Sequence, residues 1–315
     1  MEIFRAILGT GSVMVPPHVF EVSQTTLRYA RFEHQKSSLE GRFFRQVELP
    51  EDVFQSGALG GPLRHVEVFE NALRDLLSEL DPRVEKASLL MPDSWLRTVV
   101  IEVEETPRGK LEEILRWKLK KLVPYRVEGL RVRGVEADDE DKKAPTKMLV
   151  AFAIEQLVAE LENAFLRCGV RVGMVTNRSL AMASALNGED ELRSVILLEA
   201  DGYSLIFVAA NRALMLRHKA LEPTHMDAGR ESLVRQDLRI TRGFLEREFP
   251  LLPLARSLVC GPSGTCVTWM PMIQECLGAP SVLLNEADLR PTAMSLAEPW
   301  HVMAPLLGAA GMEVS

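Results

Sequence analysis

Two short stretches carry residues whose types and spacing could do chemistry. The first, FEVSQTTLRYARF (residues 20–32), alternates like a strand, breaks at Ser23-Gln24-Thr25-Thr26, and alternates again. Small hydroxyl and amide side chains at a hairpin tip can hold a phosphate, because they and the nearby backbone N–H groups form an anion-binding concavity. The same composition also serves simply to turn the chain. The second, SVILLEADGYSLIFVAA (residues 194–210), places Asp201-Gly202 between two apolar runs. Asp-Gly is a strong hairpin signal, since both central residues can take positive φ.

The elements around these tips repeat. Residues 18–49 read as three strands separated by short polar turns. A helix over 65–80 follows, with Val66, Phe69, Leu73, Leu76, Leu77 and Leu80 on one face, then an apolar strand over 87–92. Residues 194–221 read again as a meander, followed by a helix over 228–249 and a strand over 257–261. In that second helix Val234, Leu238, Thr241, Leu245 and Phe249 share one face. Meander, helix and strand in the same order twice predict a two-lobed α/β architecture, with the two hairpins facing each other across a cleft. Between the halves the order is strand (96–104), helix (110–123), strand (129–135), charged loop (137–143), strand (147–153), helix (155–168) and strand (170–175). This β-α-β-β-α-β order suits an inserted α+β subdomain. The expected division is residues 1–91 for the first lobe, 92–175 for the insert, and 176–315 for the second lobe, with a C-terminal helix returning to the first.

The chain has 315 residues, 47% hydrophobic and 26% charged, an ordinary globular balance. A net charge of −7 argues against nonspecific nucleic-acid binding, which depends on phosphate neutralisation. No apolar run approaches the roughly 20 residues that span a bilayer. The opening MEIFRAILGTGSVMVPP carries Glu2 and Arg5 and lacks a long apolar core, so it is not read as a signal peptide, and a cytoplasmic protein is expected. Its apolar patch, Ile3, Phe4, Ile7 and Leu8, is short for a membrane-binding helix. The four cysteines form no C-x-x-C pair and read as reduced thiols, so no metal site is expected.

The helix KLEEILRWKLKKLVPY places Leu111, Ile114, Leu115, Leu119 and Leu122 on one stripe. Glu112 and Glu113 open it and Lys120 and Lys121 close it, as the macrodipole favours. Trp117 falls off that stripe, beside the two lysines. Such a Trp suits a partner-binding face, here with Arg116, Lys120, Lys121 and Tyr125. A Trp tucked under a neighbouring loop and a plainly solvated basic face remain alternatives.

Order and spacing over nearly the whole chain resemble the actin-like pilus assembly proteins of the PilM type, relatives of the cell-division protein FtsA. LLMPDSWLRTVVIEV and ILRWKLKKLVPY are similar to that family's strand and Trp-containing helix. MLVAFAIEQLVAELENAFLRCGVRVGMV with NRSLAMASAL is similar to its return into the second lobe, and APLLGAAGMEV to its closing helix. The resemblance implies a two-lobed actin-like (ribonuclease H-like) fold that binds ATP and Mg²⁺. It also implies a cytoplasmic ring or platform beneath a type IV pilus machine, docking the N-terminal segment of the membrane protein PilN, which links on to PilO and PilP. A related scaffold is the cytoplasmic part of GspL.

By that resemblance the nucleotide-binding positions are Glu21, Ser23, Gln24, Thr25, Thr26 and Arg28 in the first hairpin, and Glu199, Asp201 and Gly202 in the second. Gly261, Ser263 and Gly264 stand in the adenosine loop. Phosphate hairpins favour Gly, because a Cβ obstructs backbone approach, and short carboxylates hold Mg²⁺ through water. Here Glu21 replaces an Asp, Ser23 a Gly, and Asp201 adds a carboxylate. At about 4 Å and an effective dielectric near 20, one such like-charge pair costs about 4 kcal/mol before screening. The expectation is a scaffold with a degenerate nucleotide site and no catalytic residue; Gln236 is a weak candidate for positioning water. The alternatives are an active actin-like ATPase or sugar kinase, for which Asp201 would be the base, and an FtsA-like membrane-associated filament protein.

Overall fold

The computed structural model describes residues 16–35, 38–55, 57, 59–80, 83–103, 111–123, 126–136, 146–199, 202–210, 212–221, 228–290, 292–294 and 299–312. Asp201, Tyr125, the charged loop at 137–143 and the N-terminal apolar patch lie outside them.

In the first lobe β1 (His18–Val22), β2 (Thr26–Gln35) and β3 (Ser38–Glu48) form an antiparallel meander. Helix α1 (Val66–Ser78) crosses to β4 (Lys86–Met91), which pairs parallel with β1. The insert supplies β5 (Leu96–Val103), α2 (Leu111–Leu122), β6 (Leu130–Glu136) and β7 (Thr146–Ile154), with the sheet order β5-β7-β6. The chain returns through α3 (Glu155–Arg167), β8 (Arg171–Asn177) and α4 (Arg178–Ala185). The second lobe repeats the plan: meander β9 (Leu192–Glu199), β10 (Gly202–Ala209) and β11 (Arg212–Ala220), then α5 (Ala228–Glu248), β12 (Leu254–Cys260), α6 (Ser263–Leu277) and β13 (Ser281–Leu283). Finally β14 (Thr292–Met294) and α7 (Trp300–Ala310) go back to the first lobe, β14 pairing with β3.

The two large sheets run β14-β3-β2-β1-β4-β8 and β11-β10-β9-β12-β13. Leaving out β14, each is a meander whose first strand continues on its other side into two successive parallel strands, so the expected two-lobed architecture is present. The insert is smaller than the sequence order suggests. β8 pairs parallel with β4 in the first sheet, and α3 buries Leu157, Val158, Leu161, Ala164 and Phe165 in the first-lobe core. A parallel partner is reached across a long crossover, so local strand order does not reveal it.

The lobes share a core. Val195, Leu197, Ile206 and Leu258 of the second sheet pack with Val19, Ala30 and Leu90 of the first, around Ala181, Met182 and Ala185 of α4 and Met303, Ala304 and Leu307 of α7. Small residues let these two helices close on each other: a Cβ at Gly308 would fall on the Ala181 carbonyl. On the far side of the second sheet Asp237 ties α5 down, accepting from Tyr203 Oη at 2.6 Å and from Arg217 Nη2 at 2.5 Å. This pairing keeps α5 in place over the strands that carry the second hairpin.

Candidate functional site

The first hairpin tip is closed on itself. Ser23 N donates to the Thr26 carbonyl at 2.9 Å, and Thr26 N donates to Ser23 Oγ at 3.0 Å. The two hydroxyls meet at 2.7 Å, and Leu49 N donates to the Thr25 carbonyl at 2.7 Å. Gln24 Nε2 reaches outward to the Glu51 carbonyl at 3.5 Å. Ser23 and Thr26 are thus bonded to each other across the turn.

Second-hairpin Gly202 begins β10 opposite Ala220 of β11. A Cβ there would collide with the Lys219 carbonyl, so this glycine serves strand packing. In the third loop Gly261 has φ +143°, a backbone conformation that favours glycine, and it sits against Leu198. Ser263 Oγ pairs with His301 Nε2 at 2.9 Å, and burial lowers the pKa of that imidazole. Gly264 has open space where a Cβ would stand. Gln236 is exposed on α5 beside Arg235 and Arg239, in a surface depression away from the hairpins.

The two flanking carboxylates do come together, on a residue the sequence analysis did not single out. Arg178 opens α4, where Asn177 caps the helix by accepting from Leu180 N. Arg178 Nε lies 3.1 Å from Glu21 Oε1, and its Nη1 lies 3.2 Å from Glu199 Oε1. Arg28, the cross-strand partner of Glu21, holds that carboxylate's other oxygen at 3.2 Å and also donates to Gln46. His218 Nδ1 stands 3.9 Å from Glu199 Oε2 and 3.0 Å from Ser204 Oγ. Asp93, just past β4, accepts from Ser179 N at 3.3 Å. Burial pushes the Asp93 carboxyl up to about 6, against the pull of Ser179 and Arg178. Burial also works against charge on Arg178, but Glu21, Glu199 and Asp93 outweigh it and keep the guanidinium protonated. One signal was available in the sequence: a cation in the first turn of a helix opposes the macrodipole, so such an Arg calls for carboxylate partners.

A second feature lies where the insert meets the first lobe. A groove of about 380 Å³ runs between β6 and β7 on one side and β8 on the other, with α3 at its end. Leu96, Ala151, Val158 and Met174 give it an apolar lining. At its rim Arg131 bridges Glu155 at 2.6 Å and Glu162 at 2.7 Å. Both β8 and β6 are edge strands of their sheets.

Helix α2 covers the other face of the three-stranded sheet, with Leu115 and Leu119 against Val132 and Val150. Trp117 is 58% exposed, with Lys121 Nζ 3.9 Å from its ring centroid. It is not tucked under a loop. Arg116 is committed, donating to the Val127 carbonyl at 2.9 Å and to Glu112 at 2.8 Å. The Trp117, Lys120 and Lys121 face and the groove thus lie on opposite sides of the insert. Among the described residues no His, Cys, Asp and Glu cluster is suited to a metal ion, and no helix is long and apolar enough to cross a membrane.

No family profile matches the chain, and no curated protein sequence matches it. Solved structures do. A structure described as the PilM–PilN type IV pilus biogenesis complex aligns over 96% of this chain and 98% of its own, with TM-score 0.74 and 15% identity. A Bacteroides thetaiotaomicron protein described as having an actin-like ATPase fold and unknown function aligns over 92% of this chain and 94% of its own, with TM-score 0.51 and 11% identity. The fold is therefore actin-like.

Proposed function

We propose that this chain is a scaffold of a type IV pilus or related secretion machine, and that it docks the cytoplasmic N-terminal segment of a PilN-like inner-membrane protein. The observation that carries this reading is the agreement in fold with the PilM–PilN structure along almost the full length of both chains, insert included. The groove beside the insert supports it. An extended segment can add to an edge strand through main-chain hydrogen bonds while its side chains enter an apolar trough, and β8 beside Ala151 and Met174 supplies both.

In this reading the protein is cytoplasmic and lies at the inner membrane through its partner. PilO- and PilP-like proteins are reached indirectly, and copies of the chain assemble into a ring. The Trp117, Lys120 and Lys121 face is a second contact surface, because an exposed Trp stacked with a lysine is the type of group that anchors interfaces. The nucleotide site is degenerate and no ATP or Mg²⁺ is required. Support for this comes from the first tip, where Ser23 and Thr26 bond to each other, and from Glu21 and Glu199, which hold Arg178.

The test is capture of a synthetic peptide with the N-terminal sequence of a PilN-like inner-membrane protein. Ala151→Trp, which fills the groove, should abolish capture. Trp117→Ala should leave it intact while weakening larger assemblies. Equal capture by the Ala151→Trp protein would remove the groove from the account.

A further inference from the structure

Arg178 has a position that the docking reading does not use. Its side chain is only 10% exposed, and those of Glu21 and Glu199 are 4% and 5% exposed. Glu21 belongs to β1 of the first sheet and Glu199 to β9 of the second. Two buried carboxylates brought together from separate lobes repel each other unless a cation stands between them. A ligand could bring that cation. Here the chain inserts its own, on the first residue of the helix packed between the sheets. Around this contact Arg28 adds a second cation on Glu21, the His218 ring faces Glu199 at 3.9 Å, and Asp93 lies beneath the start of α4.

We propose that Arg178 is a built-in latch of the interlobe cleft, whose guanidinium holds Glu21 and Glu199 together and keeps the two lobes closed with no ligand bound. Such a latch fixes the relative orientation of the lobes by geometry rather than by occupancy. Apolar packing could often replace a buried ion pair without loss of net stability, and in some systems such a pair serves to fix one arrangement. Breaking one by removing a single partner is a different matter, because it strands the remaining charges in a dry site. The latch goes beyond the docking reading and does not depend on it.

The test is hydrogen exchange read by mass spectrometry on the full chain. In Arg178→Met, which keeps the length and loses the charge, exchange should rise on the order of a hundredfold in β1, β9 and α4, and stay at the wild-type level in β5, β6 and β7. Adding Glu21→Gln and Glu199→Gln to that protein should restore most of the protection, since the amides no longer repel. Wild-type exchange in β1, β9 and α4 of Arg178→Met would overturn the latch, and so would a rise spread evenly over every element. If Arg178→Met does not fold, Arg178→Lys replaces it. A rise of about tenfold in the same segments then supports the latch, and unchanged protection overturns it. Peptide capture is read separately, so failure of the latch and failure of the docking reading are distinguishable.

Discussion

Ser23 and Thr26 close the first hairpin on each other, hydroxyl to hydroxyl at 2.7 Å, with each residue's N–H also taken up inside the turn. In the proposed scaffold reading these two residues hold the turn and not a phosphate.

Thermal unfolding should therefore be the same with and without millimolar Mg·ATP. A ligand present at 100 times its Kd would stabilise the native state by about 2.7 kcal/mol, several degrees in a protein of this size. An upward shift of that order would show that the hairpins still bind nucleotide.

Two glycines in the resemblance-derived nucleotide site should respond differently to the same change. Gly202→Ala places a Cβ against the Lys219 carbonyl at the start of β10 and should lower stability by about 1–3 kcal/mol. Gly264→Ala, in the first turn of α6 with open space around it, should be neutral or stabilising by up to about 1 kcal/mol. Urea unfolding of both variants checks the pair. Equal destabilisation would mean that Gly264 also meets a neighbour.

Asp93 should leave a signature in pH-dependent stability. Its folded pKa of about 6 lies above the ordinary carboxyl value of 3.8, so the folded state binds the proton more tightly than the unfolded state does. Its contribution is thus most favourable at the acid end of that interval and is lost as pH rises toward 6 and beyond. Asp93→Asn should gain stability relative to wild type as pH climbs from 4 to 7, with the gain levelling off above about 6. Taking the difference between the two proteins removes the contributions of His18 and His301, whose pKa values burial lowers. A difference that does not vary with pH would show that Asp93 is ionised throughout.

Much of the architecture was legible because it is written in local periodicity. Phe69, Leu73 and Leu76 fall on the buried face of α1, and Val234, Leu238 and Leu245 on that of α5, as their spacing requires. Trp117 lies off the stripe of α2 and is exposed, where its spacing alone left open whether a loop would cover it. What was hidden depends on pairing over distance. The partnership of β8 with β4 moves the end of the insert into the first lobe, and no feature within residues 170–177 announces it. The site itself was half legible. Glu21 and Glu199 stood out by their positions before the two tips, but Arg178 joins them from a separate helix, 21 residues before Glu199 and far along the chain from Glu21. The glycines have a structural reason of their own: Gly202 is explained by the approach of β11 and Gly261 by its backbone conformation, so their presence alone does not speak for a nucleotide.

The central claim is most directly tested by titrating a fluorescent peptide, bearing the N-terminal segment of a PilN-like inner-membrane protein, with the purified chain. The account predicts saturable binding at about micromolar Kd, unaffected by Mg·ATP and weakened by more than about tenfold in Ala151→Trp. Absence of saturation up to about millimolar protein, or the same Kd for Ala151→Trp as for wild type, would contradict it.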